Sequence, residues 1–174
     1  MPTEMPPLQP LPPIEQVQQV DSSILSNEIG QQESGGEAEP YKAYNPTSYG
    51  AENPALGRYQ TLWTTANEAA KRHGVQMPAT MKEYLNDPRK QDEIMGLLTR
   101  EGIEQAKEGL NQNDPRYLEK IVRKVAMIHY GSPGNMDLWD DTRPQYGGPS
   151  GREYTENIWR NYLTGSREVY YGGN

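Results

Sequence analysis

The chain has 174 residues, the size of one ordinary domain, and 33% of them are hydrophobic, enough to form a core without surplus. A net charge of -7 with no Lys- or Arg-rich cluster excludes a nucleic-acid binder, since nothing basic is present to displace counterions from phosphates. Cys is absent, which removes a disulfide framework and a thiolate nucleophile, and the two histidines, His73 and His129, lack metal-ligand spacing, so no metal or other cofactor is expected.

Residues 1–13 hold Pro2, Pro6, Pro7, Pro10, Pro12 and Pro13, a density incompatible with helix and suited to an extended polyproline-type segment. The sequence therefore divides into a proline-rich arm over 1–20, a folded domain over 21–164 and a short tail over 165–174. That tail closes on Tyr170-Tyr171-Gly172-Gly173-Asn174, which has no periodicity of its own and is expected to fray. The arm's composition fits a disordered tail and a partner-docking arm equally. It has neither the basic start nor the apolar stretch of a Sec-type signal, and no segment is apolar enough to predict a membrane span.

Helical signals dominate the domain. Asp21-Ser22-Ser23 is an N-cap for a short amphipathic stretch carrying Ile24, Leu25, Glu28 and Ile29, which stops at Ser34-Gly35-Gly36 and leaves Glu33 at a helix end. Residues 35–57 mix Gly, Pro, Asn, Ser and Tyr without a period and read as a long irregular loop, a length at which loops are usually functional. Tyr59 to His73 places Leu62, Trp63, Ala66, Ala69 and Ala70 on one helical face, and a short helix is expected from Pro78 to Leu85. After Asp87-Pro88 a helix runs toward Gly109, with Gly96 and Gly102 as weak points. Asp114-Pro115 opens the next helix, whose Leu118, Ile121, Val122, Val125, Ala126 and Ile128 should be central to the core. Ser132-Pro133-Gly134 ends it, and Tyr154 to Leu163 supplies the last helix. No segment alternates with a strand period, so the expected fold class is mainly α.

Four segments carry the chemistry. They are Ile29-Gly30-Gln31-Gln32-Glu33-Ser34-Gly35, Ala55-Leu56-Gly57-Arg58-Tyr59-Gln60, Ala126 through Gly134 (AMIHYGSPG), and Tyr154-Thr155-Glu156-Asn157-Ile158. As an ordered set they resemble the soluble lytic transglycosylase domain, which is related to goose-type lysozyme. That family has a helix ending in Glu-Ser, a Gly-Leu-Met-Gln turn, an Ala-Tyr-Asn-Ala-Gly-Pro-Gly helix end and a Glu-Thr-x-x-Tyr-Val helix. The resemblance covers about residues 21–164. It implies a lysozyme-like helical domain with a long active-site loop, in which Glu33 is the catalytic acid and base. It also implies a substrate-binding set of Ser34, Tyr59, Gln60, His129 and Tyr130.

Four departures from the family pattern bear on the site, one of them Asn45, which stands where a serine often precedes the loop proline. Gly-Arg-Tyr-Gln replaces Gly-Leu-Met-Gln, His129 and Tyr130 stand where the family has Tyr and Asn, and the Glu33–Gln60 loop is about ten residues longer than typical. A departing glycosidic oxygen must be protonated, which calls for a carboxyl group desolvated beside aromatic rings, and Tyr59, Trp63 and Tyr130 are candidates for that wall. With 12 Tyr, 3 Trp and no Phe, most of the aromatic surface carries a polar handle, which suits a wet groove as well as a core.

The resemblance implies cleavage of the β-1,4 bond of peptidoglycan glycan strands with a 1,6-anhydro product, because the substrate's N-acetyl group takes the place of the second carboxylate most glycosidases need. Glu37, Glu39 or Glu52 supplying such a carboxylate would make the protein a hydrolase instead. Trp139, Asp140 and Asp141 are either a sugar subsite or a solvated loop with one packed Trp. Without an export signal, the expected setting is a phage particle or secretion-type machine, with other virion proteins engaged through the arm and action on the host wall. Two alternatives stand beside this reading: a structural virion or adaptor subunit with a degenerate, inactive version of the fold, and a chitinase-like enzyme.

Overall fold

The computed structural model describes residues 19–47 and 50–171, so the expectations for the arm up to residue 18 and for Gly172-Gly173-Asn174 lie outside the described residues. The fold is mainly helical with a small three-stranded sheet.

Helix α1 spans Ser22–Ser34, and the Asp21 carboxylate caps it by accepting from the backbone N–H groups of Ser23 (2.9 Å) and Ile24 (3.2 Å). After it come a 3-10 turn at Pro40–Lys42 and strands β1 (Tyr44–Thr47), β2 (Gly50–Leu56) and β3 (Thr61–Leu62). Helices α2 (Trp63–Arg72), α3 (Met81–Leu85), α4 (Pro88–Lys107) and α5 (Tyr117–Tyr130) follow. A 3-10 segment at Pro133–Asp140 then leads into α6 (Gly151–Tyr171).

Several expectations need correction, among them the helix expected from Tyr59, which begins only at Trp63 because residues 57–60 form a turn and Thr61-Leu62 pair with β2. The segment 35–57 is not irregular throughout: β1 and β2 pair antiparallel, Tyr44 opposite Leu56 and Asn45 opposite Ala55, with a register shift between Asn45 and Thr47, and β3 extends the sheet. Pro46 and Pro54 hid the hairpin, since proline demotes a strand reading although sheet edges and bulges tolerate it. The last helix is longer at both ends than Tyr154–Leu163 and continues through Tyr171. Gly165 sits inside it, where an added Cβ would lie 3.2 Å from Ile24 Cγ2, so the glycine permits close approach to α1. Finally, Pro115 precedes α5 as a turn, and regular helix begins at Tyr117.

Helix α5 forms the centre, as its apolar period predicts: Ile121, Val122, Val125 and Ala126 are buried against Leu25 and Ile29 of α1, Ile103 of α4 and Ile158 of α6. Gly102, expected as a weak point, is instead where α4 receives α5, because the Val125 side chain occupies the space a larger residue would need. A second cluster joins Leu56 of β2 to Ala66, Ala69 and Ala70 of α2, Tyr84 of α3 and Ile94 of α4.

A buried cation fastens the back of α5. Arg123, 4% exposed, donates to Glu119 (2.8 Å) and Thr155 (3.0 Å) and lies over the Trp139 ring at 4.6 Å, while Arg116 covers the same ring at 5.4 Å. Two guanidinium groups thus lie against the Trp139 ring, and Asp140 pairs with Arg152 at 2.9 Å, contacts that match the packed-loop alternative. Asp141 pairs with Arg143, two residues along the chain.

The bonds from Arg116 and then Arg123 hold the Glu119 carboxyl down at about 2. A depressed carboxyl contributes stability that is complete above its unfolded value and is lost as pH falls through the folded one. Glu119→Gln is expected to cost about 2 kcal/mol at neutral pH, because Arg123 then loses its charge partner in a buried place. Chemical denaturation at pH 7 and pH 2.5 checks it: the gap between wild type and variant should shrink at the lower pH.

Candidate active site

The four sequence segments meet in a closed circuit of contacts. At the end of α1, the Glu33 carboxylate accepts a short hydrogen bond at Oε1 from the Tyr154 hydroxyl of α6. The next residue, Ser34, is 3% exposed, and its hydroxyl reaches the carbonyl of Arg58 at 2.7 Å and that of Gly30 at 3.1 Å. One residue further along the same turn, the Tyr59 carbonyl accepts from His129 Nε2 of α5 at 2.6 Å. Tyr130, beside His129, stacks on Tyr154 with ring centroids 4.3 Å apart and planes 15° apart, returning the circuit to Glu33.

Backbone geometry fixes the turn that two of these contacts use. Gly57 has φ +71, the left-handed region that an L side chain resists, and a Cβ there would collide with the side-chain carbonyl of Gln91. Gln91 is 1% exposed, yet its amide is fully engaged: Oε1 accepts from the Arg58 N–H (3.1 Å), and Nε2 donates to the carbonyls of Tyr41 (2.9 Å) and Tyr84 (3.0 Å). Arg58 donates to Tyr41 Oη (3.0 Å) and Asn27 Oδ1 (2.6 Å), and Asp92 Oδ1 receives the hydroxyls of Tyr41 (2.9 Å) and Tyr59 (2.8 Å).

The predicted site residues thus divide. Ser34 and Tyr59 face inward: Ser34 is a clasp between α1 and the turn, and Tyr59 is a buried strut, 5% exposed, whose ring packs against Gly30. Burial and the Asp92 bond push the Tyr59 phenol above its ordinary range. Its ring therefore does not wall Glu33, and neither does Trp63, which packs on Tyr84. The ring beside Glu33 is that of Tyr154, whose hydroxyl donates to it. Tyr130, the third candidate for the wall, directs its hydroxyl to the carbonyls of Gln145 (2.9 Å) and Pro149 (3.0 Å). Burial first, then the Glu33 charge, push both Tyr130 and Tyr154 phenols up, Tyr154 far, so both remain protonated donors at neutral pH.

Gln60 and His129 line a groove of about 1000 Å³ between α2 on one side and α4 and α5 on the other, floored by Met95, Thr99 and Val125. The Gln60 amide donates to Gly57 O of its own turn at 2.9 Å, and Gln60 also has positive φ, +48. Glu33 does not line this groove; its neighbours Gln32 and Tyr154 line a second, polar cleft of about 360 Å³ with Glu153, Glu156, Asn157 and Arg160. Of the loop acids, Glu37 and Glu52 are exposed, and Glu39 is exposed and paired with Lys42 at 2.7 Å.

Sequence reasoning missed Gln91 and Asp92, which lie in a run read only for its helical period, and it missed the role of Tyr154, although that residue opens the fourth segment. No protein-family model, no curated protein and no solved structure matches the chain.

Gly57→Ala should cost on the order of 3 kcal/mol, combining the left-handed backbone with displacement of a fully bonded buried amide. Thermal unfolding checks it. A variant as stable as wild type would show that Gln91 and the turn yield without loss.

Proposed function

We propose that the chain is a lysozyme-like lytic transglycosylase that cleaves the β-1,4 bond between N-acetylmuramic acid and N-acetylglucosamine in peptidoglycan, with Glu33 as acid and base. The observation that carries this reading is the circuit Glu33–Tyr154, Ser34–Arg58, Tyr59–His129, Tyr130–Tyr154, in which four segments distant in sequence touch in a ring. Short motifs matched by chance would have no reason to converge.

The chemistry follows from the side chains. Tyr154 holds Glu33 Oε1, which leaves Oε2 to present the proton to the departing glycosidic oxygen. As the bond to that oxygen breaks, the substrate's N-acetyl group shields the anomeric carbon. The 6-hydroxyl of the same sugar then attacks this carbon and returns its proton to Glu33, closing the 1,6-anhydro ring. The hydroxyl is tethered to the reacting sugar, so its effective concentration is high and no second carboxylate is required to position water. Glu37, Glu39 and Glu52 line neither the large groove nor the polar cleft beside Glu33, which favours this route over the two-carboxylate hydrolase. Carriage by a phage particle or secretion machine, with delivery to the host wall, belongs to the same proposal.

A second reading is a structural subunit that keeps this fold without activity. It is favoured by the inward-facing Ser34 and Tyr59 and by the Gln60 amide folded onto its own turn.

Purified sacculi digested and analysed by mass spectrometry separate the readings. The expected result is release of anhydro-muropeptides by wild type and a fall of roughly 10²–10⁴-fold in Glu33→Gln. Products heavier by one water would convert the assignment to a hydrolase. No release by wild type under any condition would favour the structural subunit.

A further inference from the structure

The loop between the 3-10 segment and α6 contains a costly choice of residue. Gln145-Tyr146-Gly147-Gly148 is a tight turn closed by the Gly148 N–H on Gln145 O at 2.8 Å, and both central residues have positive φ, +52 at Tyr146 and +74 at Gly147. Such a type I′ turn favours Asn or Gly at its first central position, because other L side chains meet the following carbonyl there. A tyrosine in that position normally needs compensation by burial, yet Tyr146 is 59% exposed, and with Tyr44 it is one of two exposed large hydrophobic residues among the described residues.

The ring is nevertheless held in place. The Tyr146 and Tyr130 rings meet in a T-shaped contact at 5.3 Å and 83°, and the Tyr146 hydroxyl accepts a short hydrogen bond from Asn135 Nδ2. It also lies so close over Gly131 that a Cβ there would collide with it. Gly131, Ser132 and Pro133 line the large groove, and Tyr130 is the ring that stacks on the Glu33 partner Tyr154. Tyr146 is therefore a held, solvent-facing aromatic surface beside Gly131 of the groove lining, linked to the acid through the rings of Tyr130 and Tyr154.

We propose that Tyr146 is a sugar-binding platform, a subsite on which the apolar face of one pyranose ring of the glycan strand stacks. The ring offers the flat apolar area, and its immobilisation in the free protein avoids the ordering cost that a floppy side chain would incur on binding. The inference rests on the glycan-cleaving reading and adds to it the residue that grips the strand away from the reacting bond.

The experiment measures binding of N-acetylglucosamine hexasaccharide and trisaccharide by calorimetry in the full chain carrying Glu33→Gln, with and without Tyr146→Asn or Tyr146→Trp, and melting temperature alongside. Asn suits the turn and removes the ring. The expected result is a roughly five- to tenfold loss of hexasaccharide affinity in Tyr146→Asn, a smaller loss for the trisaccharide, affinity retained in Tyr146→Trp, and a melting temperature close to the parent's. Unchanged hexasaccharide affinity in Tyr146→Asn, while wild type still digests sacculi, overturns the platform alone. Absence of oligosaccharide binding in every variant, together with intact sacculi after wild-type treatment, overturns the platform and the enzyme reading together.

Discussion

A buried primary amide is tolerable only when its donors and acceptor are all used, and Gln91 uses them on backbone groups from three separate segments. Its carbonyl holds the turn that follows β2, while its two N–H groups hold the 3-10 turn after α1 and the end of α3. These bonds set the height at which the Gly57–Gln60 turn leaves the sheet, and consecutive carbonyls of that turn then take Ser34 from α1 and His129 from α5. Removing any one of these bonds leaves a polar group with little access to water, so the arrangement is held by the cost of its alternatives more than by the net worth of each bond.

The same economy runs through the polar interior. Among the described residues no buried side-chain nitrogen or oxygen lacks a partner. Asp92 receives two tyrosine hydroxyls, and Arg123 reaches a carboxylate, a hydroxyl and an indole face. A chain with twelve tyrosines and no phenylalanine needs such sinks for its hydroxyls, and the structure places them where elements must be held at fixed angles.

How much of this was legible in the sequence depended on the kind of signal. Helix α5 was, because Ile121, Val122 and Val125 recur at helical spacing and that spacing maps directly onto burial. The α1 cap was legible in Asp21, and the position of Glu33 at that helix's end followed from the glycines after it. The hairpin was not: its stability lies in backbone pairing over residues of loop-like composition, and only Pro54, Ala55 and Leu56 of β2 are buried. Site contacts between distant segments were legible only as a set of motifs, and the direction of each side chain was not. Nothing local in the sequence separates a tyrosine whose hydroxyl meets Asp92, as in Tyr59, from one whose hydroxyl meets Glu33, as in Tyr154.

Backbone strain marks the same region from a different direction. Among the described residues, Gln60 and Tyr146 are the non-glycine positions with positive φ, although glycines occupy such conformations elsewhere in the chain. Each costs on the order of 1 kcal/mol or more that glycine or asparagine would avoid. Both lie at the large groove: Gln60 lines it, and Tyr146 sits over Gly131, which lines it. A strained residue in a random loop would drift to glycine at no loss, so strain confined to these two places argues that their side chains are wanted there. On the proposed reading both side chains would face the glycan strand at the large groove, away from Glu33, which does not line it. The fully bonded turn beneath Gln60 and the stacked tyrosines beneath Tyr146 supply the rigid support that lets such conformations persist.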